Sequence, residues 1–516
     1  MRVRDKKYLG KLMLRGAAVV AAAALIFGVV FGITACRRTS DLERIARGLT
    51  TYTIVAELNA SDMSITATQR VDFVNTYSVE LTDLAFHLFG NAFREGARFG
   101  PVEPADVARA YPNGPDFGSL TVTSVRVGGN AVGVNIAGQD DDILMVDFGR
   151  NLMPGSSISI ELEWRLVLAN VRHRLGFVDN TINLGNFFPI AAMRHEGAWS
   201  ATPYYSIGDP FFTEVANFDV SITVPSNMVV ASSGCRVSVT DIDGGRSTHR
   251  KRARAVRDFA MVMSPDFQIR TAKIDGIEVR YYYIIDAEPD QSLQISVDAV
   301  RTFNELFGAY PYPTLSVVET NFLHGGMEYP RLVMISNELD SALYREVIVH
   351  EIAHQWWYAV VGNDQIRHSW IDEGLSEYST TLFFEFNPQY GISYADRMAD
   401  KLTGYMMFLE IYGRRGELNL AMNRPLGEFS GGYEYMYIIY VQGALMFSSI
   451  RRMIGSEAFF AGLRILYERN FLGIARPEDV VGAFEEATGK PMASYIDTWL
   501  TGRVQMFAET PNARAA

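Results

Sequence analysis

His350-Glu351-Ile352-Ala353-His354 sets two imidazoles four positions apart, with a carboxylate beside the first. On a helix, four residues at about 100° each return nearly one turn, so both rings leave the same face. Two neutral imidazoles so placed can hold one zinc ion at about 2.0–2.1 Å. Glu351 is rotated off that face. It is too displaced to ligate easily, but it reaches a water that zinc acidifies toward a pKa of about 7 and can take the proton. The same five residues also fit two core histidines on an amphipathic helix. The following segment separates these readings. Ser369-Trp370-Ile371-Asp372 is a capping-box pattern opening a helix that stops near Pro388. Glu373 falls in its first turn, and a short connection between the two helices returns it beside the histidines as a third ligand. His-His-Glu with one open position is a catalytic set, whereas a structural zinc is closed by four protein ligands. Glu377, one turn later, either orients a ligand imidazole or is an exposed helix carboxylate.

Two further segments carry chemistry around this core. Gly325-Gly326-Met327-Glu328 places a carboxylate shortly before the zinc motif, where it can pair with a positively charged group of a bound molecule. The glycines let substrate backbone approach a strand edge closely. Alone, the same run would be a turn followed by a solvated Glu. Tyr440 stands among Tyr433, Tyr435 and Tyr437, which otherwise read as an aromatic core or interface stripe. His324 and His368 flank the site in sequence, and His87 lies in a strand-like run; all three read as structural.

These residues need elements to position them. The zinc-motif helix has Asp340 as its N-cap, and Gly362 sits where a C-terminal Gly belongs. A helical pattern over residues 291–307 precedes the Pro-broken Tyr310-Pro311-Tyr312-Pro313. A strand-like piece and further helices then run to about Thr501. Before them the chain alternates at period two, as in residues 52–58, 120–125 and 158–164, with turns at Gly128-Gly129-Asn130 and Asp243-Gly244-Gly245. The basic run from Arg246 to Arg254 reads as a solvated hairpin. The expected organisation is a linker at 36–49, a β-rich domain at 50–267, a catalytic domain at 268–505 and a loose tail at 506–516.

Composition bounds the remainder. A 516-residue chain with 48% hydrophobic and 21% charged residues buries a large core, which excludes disorder. A net charge of -12 argues against nucleic acid as a partner. Two cysteines exclude a disulfide framework, and Cys235 reads as a buried small hydrophobe. Six basic residues within 1–15, an apolar run over 16–35 and Ile33-Thr34-Ala35-Cys36 mark an export segment whose ending resembles a bacterial lipobox. Residues 1–35 are then a signal peptide cleaved before a lipidated Cys36, or an uncleaved membrane anchor. Either leaves everything after Cys36 outside the cytoplasm and attached to the membrane.

His350–His354 followed by Trp370-Ile371-Asp372-Glu373-Gly374 resembles the aminopeptidase N-type gluzincin family of zinc metallopeptidases. Gly325-Gly326-Met327-Glu328-Tyr329 is similar to that family's Gly-x-Met-Glu-Asn exopeptidase motif, with Tyr329 in place of Asn. Tyr440-Val441-Gln442-Gly443-Ala444 is similar to its Tyr-x-Lys-Gly-Ala segment; family position alone selects Tyr440. The likeness covers roughly residues 50–500. It implies an α+β multidomain fold: an N-terminal β-saddle domain followed by a thermolysin-like, mostly helical catalytic domain. The large C-terminal helical domain of many members has no counterpart in these 516 residues. The implied site holds one Zn2+ on His350, His354 and Glu373, with Glu351 and Tyr440 catalytic. Glu328, Gly325, Gly326 and Met327 bind the peptide substrate. The implied activity is removal of N-terminal residues from peptides. An endopeptidase of the same chemistry is the alternative within the class. A surface-binding lipoprotein with a vestigial zinc site is the alternative outside it, although zinc binding alone does not need Glu351.

Overall fold

The structure is a computed structural model, and it describes residues 42–504 except 415 and 417. The basic end, the apolar run, Cys36 and the 506–516 tail lie outside the described residues. Alternation builds the first half. In the strand Thr51–Asn59, Tyr52, Ile54, Ala56 and Leu58 are buried while Thr53, Val55 and Glu57 face solvent. Residues i and i+2 share a face of a strand, so this one pattern gives the sheet a dry side and a wet side.

That strand lies inside an eight-stranded sheet. It pairs antiparallel with Ser64–Val74 and parallel with Ala216–Pro225. Ser64–Val74 continues the sheet through Ser157–Val167 to Ser119–Val127. The alternation expected over residues 120–125 breaks at a bulge between Val122 and Ser124, which resets parity so that Val125 and Val127 turn inward. Gly128 and Gly129 adopt φ of 57° and 85°, the conformation that a tight turn into Asn130–Val132 demands. The basic run is the strand Arg246–Val256, and parity splits it. Arg250 and Arg252 face outward and pair with Asp219, whereas Lys251 is buried and donates to the Val230 carbonyl at 2.9 Å.

A five-stranded sheet opens the second half, in the order Gln268–Ile274, Ile277–Tyr283, Thr314–Thr320, Leu332–Ser336, Gly326–Met327. Thr314–Thr320 and Leu332–Ser336 run parallel and are buried at every residue, as strands covered on both faces must be. Gly326–Met327 forms the edge, antiparallel to Leu332–Ser336. Helices follow, and the one carrying the histidines packs against that sheet and against the helix Pro289–Leu306. Among the described residues no helix is long and apolar enough to cross a membrane.

The motif helix runs Ser341–Ala353, with the Asp340 carboxylate accepting from the backbone of Ala342 and Leu343. It ends earlier than its apolar pattern implies. Wider turns follow, closed by Ala359 N–H to His354 O and Val361 N–H to Trp356 O, both 2.9 Å. Gly362 is therefore not its cap. A side chain at 362 would collide with the Arg257 guanidinium, which reaches over from the β-rich half to bond the carbonyls of Tyr358, Val360 and Gly473. The next helix is Asp372–Phe386, ending just before Pro388. Ser369 does not cap it. Asp372 instead accepts hydrogen bonds from Asn363 and Gln365, each 2.7 Å.

Candidate metal centre and active site

His350 comes from the last turn of Ser341–Ala353, His354 caps that helix, and Glu373 starts Asp372–Phe386. Their tips converge. His350 Nε2 and His354 Nε2 are 3.1 Å apart, and Glu373 Oε2 lies 3.3 and 3.2 Å from them. Donors around a tetrahedral zinc at 2.0–2.1 Å stand about 3.3 Å from one another, so this triangle has the size the ion requires. The other ring nitrogens fix the tautomers. His350 Nδ1–H donates to Glu377 Oε2 at 3.1 Å, and His354 Nδ1–H donates to the Trp357 carbonyl at 3.2 Å. Both Nε2 lone pairs therefore face inward, as metal-ligating imidazoles need.

Electrostatics agree with the geometry. Burial alone would depress the His354 pKa, but Glu373 and Glu328 overcome it and raise it to about 10. Burial is likewise outweighed at His350 by Glu373 and Glu377, which raise it to about 9. Burial would raise Glu373, yet the two imidazoles hold it at about 2. The pocket attracts positive charge, and a divalent cation answers that demand.

Glu351 is buried, and its Oε2 makes no hydrogen bond. Burial, together with Glu328, Glu373 and Asp209, raises its pKa well above the usual carboxylate range. Gly326 explains why a carboxylate fits here: a Cβ at 326 would overlap the Glu351 carboxylate. The edge strand and the carboxylate share one small volume. Glu328 follows the strand and is buried, and Gln365 Nε2–H donates to its Oε1 at 2.9 Å. Oxygens of Glu328 and Asp372 both lie within 4.8 Å of a His354 ring nitrogen. Met327 is buried and paired with Met334, and Gly325 sits beside Val347. Tyr329 turns away from this group, and its hydroxyl donates to Asn186 Oδ1 at 2.5 Å.

Tyr440 arrives on a π-turn, Met436–Val441. Its hydroxyl donates to Glu373 Oε1 at 2.6 Å and its ring stacks on His350 with centroids 5.7 Å apart. Tyr437 points elsewhere and stacks on Phe408 at 4.9 Å. What brings Tyr440 so close is a contact between two glycines. A Cβ on Gly443 would lie 2.8 Å from the Gly374 Cα, so the helix behind Tyr440 and the helix behind Glu373 meet backbone to backbone.

His87, His324 and His368 lie apart from the triangle. His87 contacts the Ser200 carbonyl at 3.1 Å, His324 packs edge-on to His173 and Phe322, and His368 contacts Asn423. Several residues of the site have no signature in local sequence. Arg174 donates to Asp209 at 2.6 Å in a buried pair, and Asp209 exerts its charge on Glu351 and Tyr440. Tyr435 sits beside Tyr440, with ring centroids 5.7 Å apart. Lys401 bonds Glu377.

Residues 291–499 match the family model described as the Peptidase family M1 domain. Aminopeptidase M1-A of Oryza sativa subsp. japonica is 23% identical over 380 residues, 70% of this chain and 42% of the relative. Aminopeptidase N of Lactococcus lactis subsp. lactis is 26% identical over 258 residues, 45% of this chain and 29% of the relative. The chain thus spans less than half the length of these curated relatives. Among solved structures, an M1 zinc metallopeptidase from Deinococcus radiodurans superposes with a TM-score of 0.62 at 17% identity, covering 90% of this chain and 95% of that one. A mutant of that enzyme, described as bound to a Tyr-Ser-Ala substrate, gives a TM-score of 0.63 at 15% identity, with 90% and 96% covered. The histidine–glutamate triangle falls within residues 291–499, the segment that matches the Peptidase family M1 domain, and the chain shares its fold with solved M1 zinc metallopeptidases.

Proposed function

We propose that this chain is a zinc-dependent aminopeptidase working outside the cytoplasm. The observation that carries the reading is the 3.1–3.3 Å donor triangle of His350, His354 and Glu373, with the buried carboxylates of Glu351 and Glu328 around it. The names of the relatives and the peptide-bound neighbour support it. So does the layout of a β-rich half before a helical half, which we assign to a β-saddle and a thermolysin-like catalytic domain.

His350, His354 and Glu373 hold one zinc. When bound, zinc polarises the scissile carbonyl and acidifies water. Glu351 takes the proton of the attacking water and returns it to the departing amine. Glu328 anchors the free ammonium of the peptide, with its carboxylate held by Gln365, which Asp372 holds in turn. Gly325, Gly326 and Met327 offer the edge strand along which the peptide backbone lies. Tyr440 releases Glu373 and donates to the oxygen on which negative charge develops.

Purified protein assayed on free and N-acetylated peptides, with and without chelator, tests this. Free peptides should be cut and acetylated ones spared, and chelator should abolish turnover. Equal cutting of acetylated peptides would replace the aminopeptidase reading with the endopeptidase one. For location, the basic end, the apolar run and the Ile-Thr-Ala-Cys ending support membrane attachment, through lipid on Cys36 or an uncleaved anchor. Cys36→Ser should leave an unprocessed precursor. A wild-type protein that keeps residues 1–35 without lipid would identify the anchor.

A further inference from the structure

The helix Tyr394–Gly413 packs against Asp372–Phe386, and its first half carries two basic residues, Arg397 and Lys401. They stand one turn apart and meet two glutamates of the metal region. Arg397 pairs with Glu346 at 2.8 Å, one turn before His350 on the motif helix. Lys401 pairs with Glu377, one turn after Glu373 on the next. The two contacts differ in reach. Arg397 pairs with Glu346 and reaches Glu377 only as a nearby charge. Lys401 Nζ holds Glu377 Oε1, while Glu377 Oε2 accepts the Nδ1 proton of His350, whose Nε2 belongs to the donor triangle.

Lysine is a costly choice for such a place. Only 11% of its side chain is exposed, so its ammonium has given up most of its water. That cost is offset only if the charge is used. A carboxylate facing an imidazole N–H with no opposite charge behind it can rotate, or pull the proton toward itself. A cation on its far oxygen locks the carboxylate plane and draws electron density away from the near oxygen. The imidazole then keeps its Nδ1 proton and its orientation.

We propose that Lys401 is a positioning residue for the metal: through Glu377 it fixes the tautomer and direction of His350, and so sets how tightly zinc is held. The inference rests on the zinc reading given above and adds to it a third helix.

The test measures zinc affinity by competition with a chromogenic chelator, and ligand geometry by the visible absorption of the Co2+-substituted protein. Circular dichroism checks the fold. Wild type is titrated first. Lys401→Met should weaken zinc about 10–100-fold and shift the Co2+ bands, as loss of an outer partner does. Lys401→Arg should recover most of the affinity. Arg397→Met, which removes a charge near Glu377 but not its direct partner, should weaken zinc clearly less than Lys401→Met and leave the spectrum close to wild type. In a Glu377→Gln background, where no charge needs compensating, Lys401→Met should have little further effect. Wild-type affinity and spectrum in Lys401→Met would overturn the proposal. So would equal losses in Lys401→Met and Arg397→Met, or an undiminished Lys401→Met effect in the Glu377→Gln background. Failure of wild type to bind zinc at all would instead remove the zinc reading itself.

Discussion

Buried histidines behave in opposite ways in two regions of this molecule. Burial disfavours the charged imidazole at every one of them, yet His350 and His354 rise to about 9 and 10 whereas His87 and His324 fall to about 4. His173, beside His324, also falls well below its ordinary value. The partners make the difference. The first pair faces Glu373, Glu377 and Glu328, while the others face backbone carbonyls, aromatic rings and Arg174. Depth in the core therefore does not mark a functional histidine; converging carboxylates do.

The largest effect expected from this contrast lies at Glu351, the carboxylate of the first region that holds no hydrogen bond on one oxygen. Glu351→Gln should retain zinc, measured by metal analysis, while turnover falls about 10²–10⁴-fold, the range for losing a general base. Full activity in that variant would remove Glu351 from the proton transfer and overturn the mechanism. Next comes Tyr440. Tyr440→Phe should lower kcat about 10²–10³-fold with KM and zinc content little changed, since one donor to a developing oxyanion is lost. Tyr437→Phe should stay near wild type because its ring is occupied by Phe408. A reversal of those two results would place the wrong tyrosine at the metal.

Glu328→Ala should act on substrate more than on metal. Losing a charge-assisted contact of about 1.5–3 kcal/mol reduces kcat/KM about 10–100-fold for free-amine peptides and leaves zinc content alone. The smallest effect belongs to the second region. His324 has a folded pKa below its unfolded one, so its contribution to stability is present above about 6.5 and is lost as pH falls through about 4. His324→Phe should therefore lose less stability than wild type between pH 7 and 4.5, by about 2 kcal/mol in urea melts. Its activity at neutral pH should be unchanged. An equal acid sensitivity in both proteins would break the comparison at its second limb.

How much of this could be read from the chain follows from where each residue comes from. The His-His-Glu triangle was legible because the motif spacing puts two imidazoles on one helix face and Glu373 opens the next helix, although the connection, residues 354–371, is longer than the spacing implied. Tyr440 was not legible from spacing, since the π-turn over Met436–Val441 changes the count of residues per turn. Tyr435 and Tyr440, five apart, both reach the site, a relation that an α-helical reading of four tyrosines does not contain. Strands with one wet face showed their alternation until the bulge at Val122. Thr314–Thr320 and Leu332–Ser336, dry on both faces, carry no period at all. Arg174, Asp209 and Lys401 enter the site from remote segments, so nothing near the motif announces them. The Ser369 capping box shows the reverse hazard: a local pattern was present, but Asn363 and Gln365 had a stronger use for Asp372.

The backbone contact between Gly374 and Gly443 ties two signatures into one mechanical joint. Each glycine sits within a few residues of a group that reaches the metal region, Glu373 on one side and Tyr440 on the other. A single methyl group at either position would act as a shim. It would widen the gap between hydroxyl and carboxylate while altering neither. Homologous chains that carry a larger residue at one of the two sites must then compensate at the other, or in the packing of Met422 alongside. The two segments are thus expected to drift together, and a mismatched graft of one without the other should yield a protein that folds and binds metal yet turns over slowly.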